Sequence, residues 1–400
     1  MPVRIRLSML MFLQYAIMGA WHPVLSQHMI HHLHFTGQQA GMIYGFIPLA
    51  TIVANFFIGY LADHHVEAKR LIALFHGAGA ILLFILVRTE SFFAFAILMF
   101  AYCLCFAPTV SLANSITLSQ MHKQERRFGG VRVWGTIGWI ISGLILTGMR
   151  YAQSQAWLPN LGVDSLLLAG IMSVAMMILA FYLPRTEPSK DLDWHHYKRS
   201  LKSLYSHKSL RNLNLITFLF ATQGMFYYIY TGPYLTSAQI GLSETWLSTV
   251  MASGQITELF VMGFLLAYGL HHWGVKKTML IGLSGWALRY WIFALGAPKA
   301  LVIAALPIHG LCYTFVLPAA TIFIAQTAPP KLRHSAQALF TFITTGLGNF
   351  IGSLLAGWIY RLHSNGEPQW SAIFIWPGIF ITLCAILLAV TFKPEEEKIG

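Results

Sequence analysis

Gly59-Tyr60-Leu61-Ala62-Asp63-His64-His65 has a counterpart in Ala267-Tyr268-Gly269-Leu270-His271-His272, and each is followed by a basic pair, Lys69-Arg70 in one case and Lys276-Lys277 in the other. Both stretches fall between two long apolar runs. A weak repeat at the same place in the two halves of a chain is the mark of a parallel duplication, in which two similar bundles of membrane helices follow one another.

The rest of the sequence fits that plan. Of 400 residues, 56% are apolar and only 10% are charged, against roughly 25% charged in an ordinary soluble domain. A soluble enzyme, a disordered tail and a nucleic-acid-binding module are excluded on that balance. About 20 apolar residues cross a bilayer as a helix. Spans 1 to 12 are expected at about 7–31, 40–62, 71–88, 91–118, 130–150, 162–183, 210–236, 244–269, 275–294, 299–327, 334–360 and 369–392. With the N-terminus inside, 20 of the 26 Lys and Arg fall on inner segments and four (Arg88, Arg150, Lys299 and Arg361) on outer loops, leaving Arg132 and Arg289 within spans. Basic residues stay on the cytoplasmic side, so both termini are expected there. Arg4 and Arg6 precede an apolar stretch as in an export leader, but no clear small-residue cleavage site follows, and the segment reads as a retained first helix. Cys103, Cys105, Cys312 and Cys384 all lie in apolar runs without metal or disulfide spacing. The polar stretch 184–209 divides the chain into a bundle at 1–183 and a bundle at 210–400.

Of 14 acidic residues, 13 fall on the inner or outer segments, and Glu258 alone lies in mid-span. An ionised carboxylate at that depth costs at least roughly 2.5–3.5 kcal/mol, so it must face a cavity or a partner. Glu258 reads as a proton carrier or a hydrogen-bond acceptor for cargo, or else as a glutamate locked between helices. Gln255 lies one turn away on the same face. Arg132, Thr136 and Trp139 share a face of span 5, giving a forked donor, a hydroxyl and a flat apolar surface. Arg132 is near the inner end, however, where a basic side chain also snorkels to water. Arg289 reads as an interfacial or interhelical anchor. His309 and Tyr313 form an i, i+4 pair in span 10; histidine titrates near neutral pH, so His309 is either a cargo contact, a proton relay or a satisfied interhelical histidine. His22 and His76 read as packing residues. Tyr227, Tyr228 and Tyr230 either stack on a ring-shaped cargo or form an interfacial belt. Gly135, Gly138 and Gly143 in span 5, with Gly346, Gly348 and Gly352 in span 11, allow close helix approach. Gly59 and Asp63, with Lys69 and Arg70, form either a conformational latch on the inner face or an ordinary loop.

Gly59 to Asp63 with Lys69-Arg70 resembles the loop signature of the major facilitator superfamily. Phe12-Leu-Gln14-Tyr-Ala-Ile-Met-Gly19-Ala-Trp21, Pro108-Thr-Val-Ser-Leu-Ala-Asn114-Ser, Val131-Arg132-Val-Trp134-Gly135-Thr136-Ile-Gly138 and Gln255-Ile-Thr-Glu258 together resemble the bacterial nucleoside:proton symporters. That resemblance implies a fold of twelve transmembrane helices in two six-helix bundles. It implies substrate contacts at Arg132, Thr136, Trp139, Gln255 and Glu258. The family's span 7 glutamine and asparagine fall at Met225 and Tyr228 here, with Gln223 and Tyr227 nearby. Its span 10 tyrosine, phenylalanine and aspartate fall at His309, Tyr313 and Thr314.

The expectation is a secondary transporter of the bacterial inner membrane, not an enzyme. It would import a small polar ring compound, foremost a nucleoside, by proton symport and alternating access. Its partners would be that solute, protons and the lipid bilayer, not nucleic acid, and a monomer would suffice. Glu258 and His309 are the proton-coupling candidates. No cofactor or metal is expected, and no G-x-x-x-x-G-K-[ST] run is present to bind ATP. The altered positions in spans 7 and 10 keep a sugar or an aromatic acid open as cargo, and a proton-independent uniporter open as mechanism. A receptor or scaffold lacks a soluble domain to pass on a signal.

Overall fold

The structure, a computed structural model, describes residues 2–53, 66–120, 125–159, 164–184, 208–328 and 333–392. Gly59 and Asp63 lie outside the described residues. Of their expected partners, Lys69 and Arg70 both approach Glu67, at 3.9 Å and 3.4 Å.

Among the described residues, eight helices are long and apolar enough to cross a membrane, and one of them, Glu244–Leu295, contains both span 8 and span 9. Span 6 is the shorter apolar helix Asp164–Ala180. Span 7 is Lys208–Thr236, whose first turns carry Lys208, Arg211 and Asn212. Span 2 is described in part, as Gly37–Tyr44 and a resumed helix over 46–53. It begins earlier than expected because Thr36 and Gln39 form a reciprocal capping box. A two-residue hairpin, Ser364–Asn365 with Glu367–Pro368, joins spans 11 and 12.

Several spans are broken or distorted where the sequence suggests one helix, and prolines mark three of these places. Span 1 consists of Val3–Trp21 and Leu25–His31, parted at Pro23. Span 10 consists of Lys299–Ala304, Ile308–Thr314 and Leu317–Thr327, interrupted beside Pro307 and Pro318. A proline has no N–H for the ladder and clashes with the preceding turn. Span 8 passes from Glu244–Phe260 into a π-helical turn, Val261–Leu265. Span 11 holds a second such turn, Phe342–Gly348. Between spans 8 and 9 the backbone leaves helical geometry at Gly274, with φ at 73°.

The outer surface of the spans is apolar. Leu74, Ile97 and Phe93 are 64%, 70% and 76% exposed. Water does not tolerate such a surface over a whole chain; hydrocarbon does, and in it every backbone polar group must be paired within the helix.

The chain forms two compact units, Met1–Lys190 with Tyr228–Ala252, and Asp191–Tyr227 with Ser253–Gly400. The expected divide at 184–209 follows chain order, whereas the units also cut through spans 7 and 8. In the first unit, span 1 packs along spans 5 and 6, and span 3 along spans 4 and 6. A Cβ on Gly138 would lie 2.2 Å from the Phe12 carbonyl oxygen, so spans 1 and 5 touch backbone to backbone there. Residues 228–252 join this unit through specific bonds. The Tyr230 hydroxyl donates to the Gly37 carbonyl at 2.8 Å, and Thr249 donates to Thr147 at 2.8 Å. Arg150, clasping Asp164 through Nε at 2.8 Å and a second nitrogen at 3.1 Å, also donates to the Glu244 carbonyl. The Glu244 carboxylate in turn meets His32 at 3.0 Å and His31 at 3.7 Å. In the second unit, span 9 packs along spans 10 and 12, and Tyr290 and Phe293 pack against Phe374.

Candidate functional site

The candidate residues fall into two groups, one in each compact unit. In the first unit, the Arg132 guanidinium lies 4.0 Å above the centre of the Tyr15 ring. Arg132 is therefore tied across to span 1 by a cation–π contact, not extended away from the protein. Gly135, one turn on, leaves the room: a Cβ there would lie 2.7 Å from both the guanidinium and the Tyr15 ring. Trp139 stands two turns from Arg132 on the same face, with its ring centre 6.1 Å from that of His22. His22 in turn meets Tyr228 at 5.6 Å and Tyr44 at 5.0 Å, both edge-on. Tyr44 donates its hydroxyl to the His22 carbonyl and accepts from the Ser26 N–H. The result is an aromatic group built by spans 1, 2, 5 and 7, with the half-buried faces of Trp139 and Tyr228 at its edge.

His22 packs as expected, with its ring between two of the expected cargo contacts, and its buried Nδ1 has no hydrogen-bond partner among the described residues. His76 does behave as a packing residue. It bonds the Gln14 carboxamide oxygen at 3.2 Å, while the Gln14 amide donates to Thr109 at 2.9 Å. Tyr15 has no polar signal of its own in the sequence, and only the stacking reveals it.

In the second unit, the Gln223 amide donates to the Phe220 carbonyl of its own helix at 2.8 Å, and its buried side-chain oxygen has no partner among the described residues. The Gln223 carbonyl accepts from Tyr290 at 3.0 Å. Met225 is buried beside it. Gln255 and Glu258 are half-buried on one face of span 8, directly before the π-helical turn. Such turns widen the helix locally and recur at functional sites.

Span 8 meets span 10 at two glycines. A Cβ on Gly254 would lie 2.9 Å from the His309 side chain, and one on Gly310 would lie 2.2 Å from the Glu258 backbone nitrogen. The Thr257 hydroxyl donates across the same contact to the Pro307 carbonyl. His309 is stacked between Tyr227, with centres 4.8 Å apart and planes 13° from parallel, and Tyr313 at 5.8 Å. Thr314, where the family pattern has an acid, is fully buried, and its hydroxyl has no partner among the described residues.

At two places the packing narrows the alternatives that the sequence leaves open. Tyr227 and Tyr230 are buried and Tyr228 is half-buried, so the group is interior and not a rim belt. Arg289, read as an interfacial or interhelical anchor, is of the second kind, fully buried: its guanidinium carbon lies 3.9 Å from both the Tyr227 and the Trp286 ring centres, and it meets His309 Nδ1 at 3.1 Å. Both residues are thus interhelical partners. Their distance in sequence hid the pairing, because only the packing of span 9 on span 10 brings them together.

Long apolar helices of this kind, with polar groups confined to a few interior faces, have the major facilitator fold. A solved structure of nucleoside transporter NupG matches 98% of this chain and 100% of its own at a TM-score of 0.82 and 22% identity. The chain belongs to the nucleoside H+ symporter family, whose profile matches residues 1–397. YegT of Escherichia coli (strain K12) is 30% identical over 100% of this chain and 96% of its own length. The xanthosine permease of the same organism is 25% identical, over 100% of this chain and 99% of its own length. The protein is accordingly a multi-pass membrane transporter and not an enzyme.

Proposed function

We propose that this protein imports nucleosides with protons across the bacterial cytoplasmic membrane, with both termini in the cytoplasm. The observation that carries the reading is Glu258. Among the described residues it is the one acid in mid-span, it shares a face with Gln255, and it adjoins the tight contact with His309 and Thr257. A carboxyl group at that depth is favoured neutral by burial and ionised by nearby donors or charge. It can therefore take a proton on one side and release it on the other. Each unit by itself offers groups of the kind a nucleoside needs: in the first, Arg132 and Thr136 for carbonyl and hydroxyl oxygens and Trp139 and Tyr228 for a flat base; in the second, Gln255 and His309 for oxygens, the Gln223 side-chain oxygen for an N–H or hydroxyl, and Tyr313 for a base. Loading from the proton-rich side gives net import.

A change of cargo class is the second reading, favoured by Met225, Tyr228 and Thr314 standing where the family pattern is polar or acidic. A sugar or an aromatic acid then replaces the nucleoside. Uptake of labelled uridine into proteoliposomes under an imposed pH gradient, competed by nucleosides, sugars and aromatic acids, separates the two. Competition by nucleosides alone is expected. In the same assay Glu258→Gln, which keeps shape but cannot ionise, should abolish accumulation against a gradient and substrate-induced proton uptake, while exchange of cargo survives. Normal accumulation by Glu258→Gln refutes the coupling role.

A further inference from the structure

Arg289 is a cation in the interior of a membrane protein, and no carboxylate pairs with it in the described structure. Its charge is met by aromatic faces: the guanidinium carbon is 3.9 Å from the Tyr227 and Trp286 ring centres and 5.8 Å from that of Tyr290. Its one hydrogen bond is directed at His309 Nδ1, at 3.1 Å, and its Nε and second terminal nitrogen have no partner among the described residues.

This bond fixes the chemistry of the imidazole. A guanidinium has five donors and no acceptor, and it does not deprotonate in proteins. Nδ1 must therefore present its lone pair, and the ring carries its one proton on Nε2. A second proton on Nδ1 would break the bond and set two cations about 3 Å apart. The ring is held in place by stacking on Tyr227 and on Tyr313 and by an edge-on contact with Trp286, and span 8 passes so close that a Cβ on Gly254 would lie 2.9 Å from its β-carbon.

We propose that Arg289 is a positioning residue for His309, holding it in the neutral Nε2–H tautomer so that it serves as a fixed hydrogen-bond donor and takes no part in carrying the transported proton. The titratable and charged groups placed on the ring are Tyr227 of span 7, Arg289 of span 9 and Tyr313 of span 10; Tyr290 faces Arg289 from the same span, and from span 8 the Glu258 backbone meets Gly310, the residue after His309. Glu258 is the one acid in mid-span among the described residues, and the coupling role proposed above stays with it. A role for the donor toward an oxygen of the cargo rests on the nucleoside reading above; the tautomer assignment does not.

Nitrogen NMR of the full-length protein labelled at histidine tests the assignment without cargo. The His309 signals are identified as those lost in His309→Asn, or in His309→Gln if the first variant does not fold. They should show the Nε2–H tautomer unchanged from pH 8 to pH 5.5. Signals that move with a midpoint near the ordinary histidine pKa of about 6.5, or that show the Nδ1–H tautomer, overturn the proposal. In Arg289→Met, which keeps a long side chain over Tyr227 and Trp286, the same signals should change, losing the single fixed tautomer. Unchanged signals there would mean that Arg289 does not set the ring. Labelled uridine binding to His309→Asn is the separate arm. Wild-type affinity in that variant removes His309 from the cargo site and leaves the tautomer result standing.

Discussion

Adding one methyl group at Gly310 tests the geometry of the candidate site most directly. In Gly310→Ala the new carbon would lie 2.2 Å from the Glu258 nitrogen, 2.4 Å from the Thr257 carbonyl carbon and 2.5 Å from the Thr257 hydroxyl. Carbon contacts settle at about 3.5–4.0 Å, so spans 8 and 10 must part by about 1 Å. Two of the three obstructing atoms are backbone, and no flexible side chain can yield in their place. Overpacking of this kind costs about 1–3 kcal/mol, and the upper end applies here. Neighbouring positions suffer with it, since Glu258 and His309 flank the contact and Thr257 bonds across it to Pro307. A displacement of about 1 Å at a site of positioned groups costs about a hundredfold in rate. Gly310→Ala should therefore lower the melting temperature in detergent and cut uridine uptake by about that factor. Gly148→Ala is the control: a Cβ there meets nothing within 4 Å, and the change should leave uptake intact and stability equal or higher. Wild-type uptake and melting temperature in Gly310→Ala would refute the close contact between spans 8 and 10.

Arg132→Ala and Gln255→Ala should each weaken nucleoside binding by roughly tenfold to a hundredfold, the loss of a charge-assisted or buried hydrogen bond at about 1.5–3 kcal/mol, read by equilibrium binding to purified protein; unchanged binding in Arg132→Ala leaves only its packing on Tyr15. Arg150→Met removes one partner of a pair whose side chains are 12% and 8% exposed, and an uncompensated Asp164 should cost about 3–5 kcal/mol. Thermal unfolding measures it, and the Asp164→Asn exchange in the same background should recover part of the loss. Reporter fusions after residue 200 and after residue 398 should both read as cytoplasmic, and a periplasmic signal at either one overturns the orientation.

Much of the fold was legible in the sequence because bilayer crossing is a one-dimensional constraint. An apolar run of sufficient length must be a helix, and the placement of Lys and Arg orders the loops. The repeat at Gly59 and Ala267, the isolation of Glu258 and the shared face of Arg132, Thr136 and Trp139 are all local or periodic patterns. They survive without tertiary information. The spans at 71–88, 91–118 and 369–392 accordingly end within a few residues of the helices Ala68–Leu86, Phe92–Gln120 and Trp370–Thr391.

Contacts between distant residues were not legible, because sequence spacing carries no information on which helix faces which. Arg289 and His309 are 20 residues apart on separate spans. Their types alone leave Arg289 an interfacial or interhelical anchor and His309 a cargo contact, a relay or a satisfied interhelical histidine. Packing makes them donor and acceptor to each other, both against the Tyr227 ring. Tyr15 looks like any aromatic in an apolar helix until Arg132 lies over it. Tyr227 and Tyr228 are neighbours in the chain, yet the turn of the helix sends one to Arg289 and the other to His22. The sequence by itself determined that this chain crosses a membrane many times and carries one acid in mid-span. Tertiary structure decided which polar groups satisfy one another, since a buried charge or ring nitrogen takes its role from the atom opposite it.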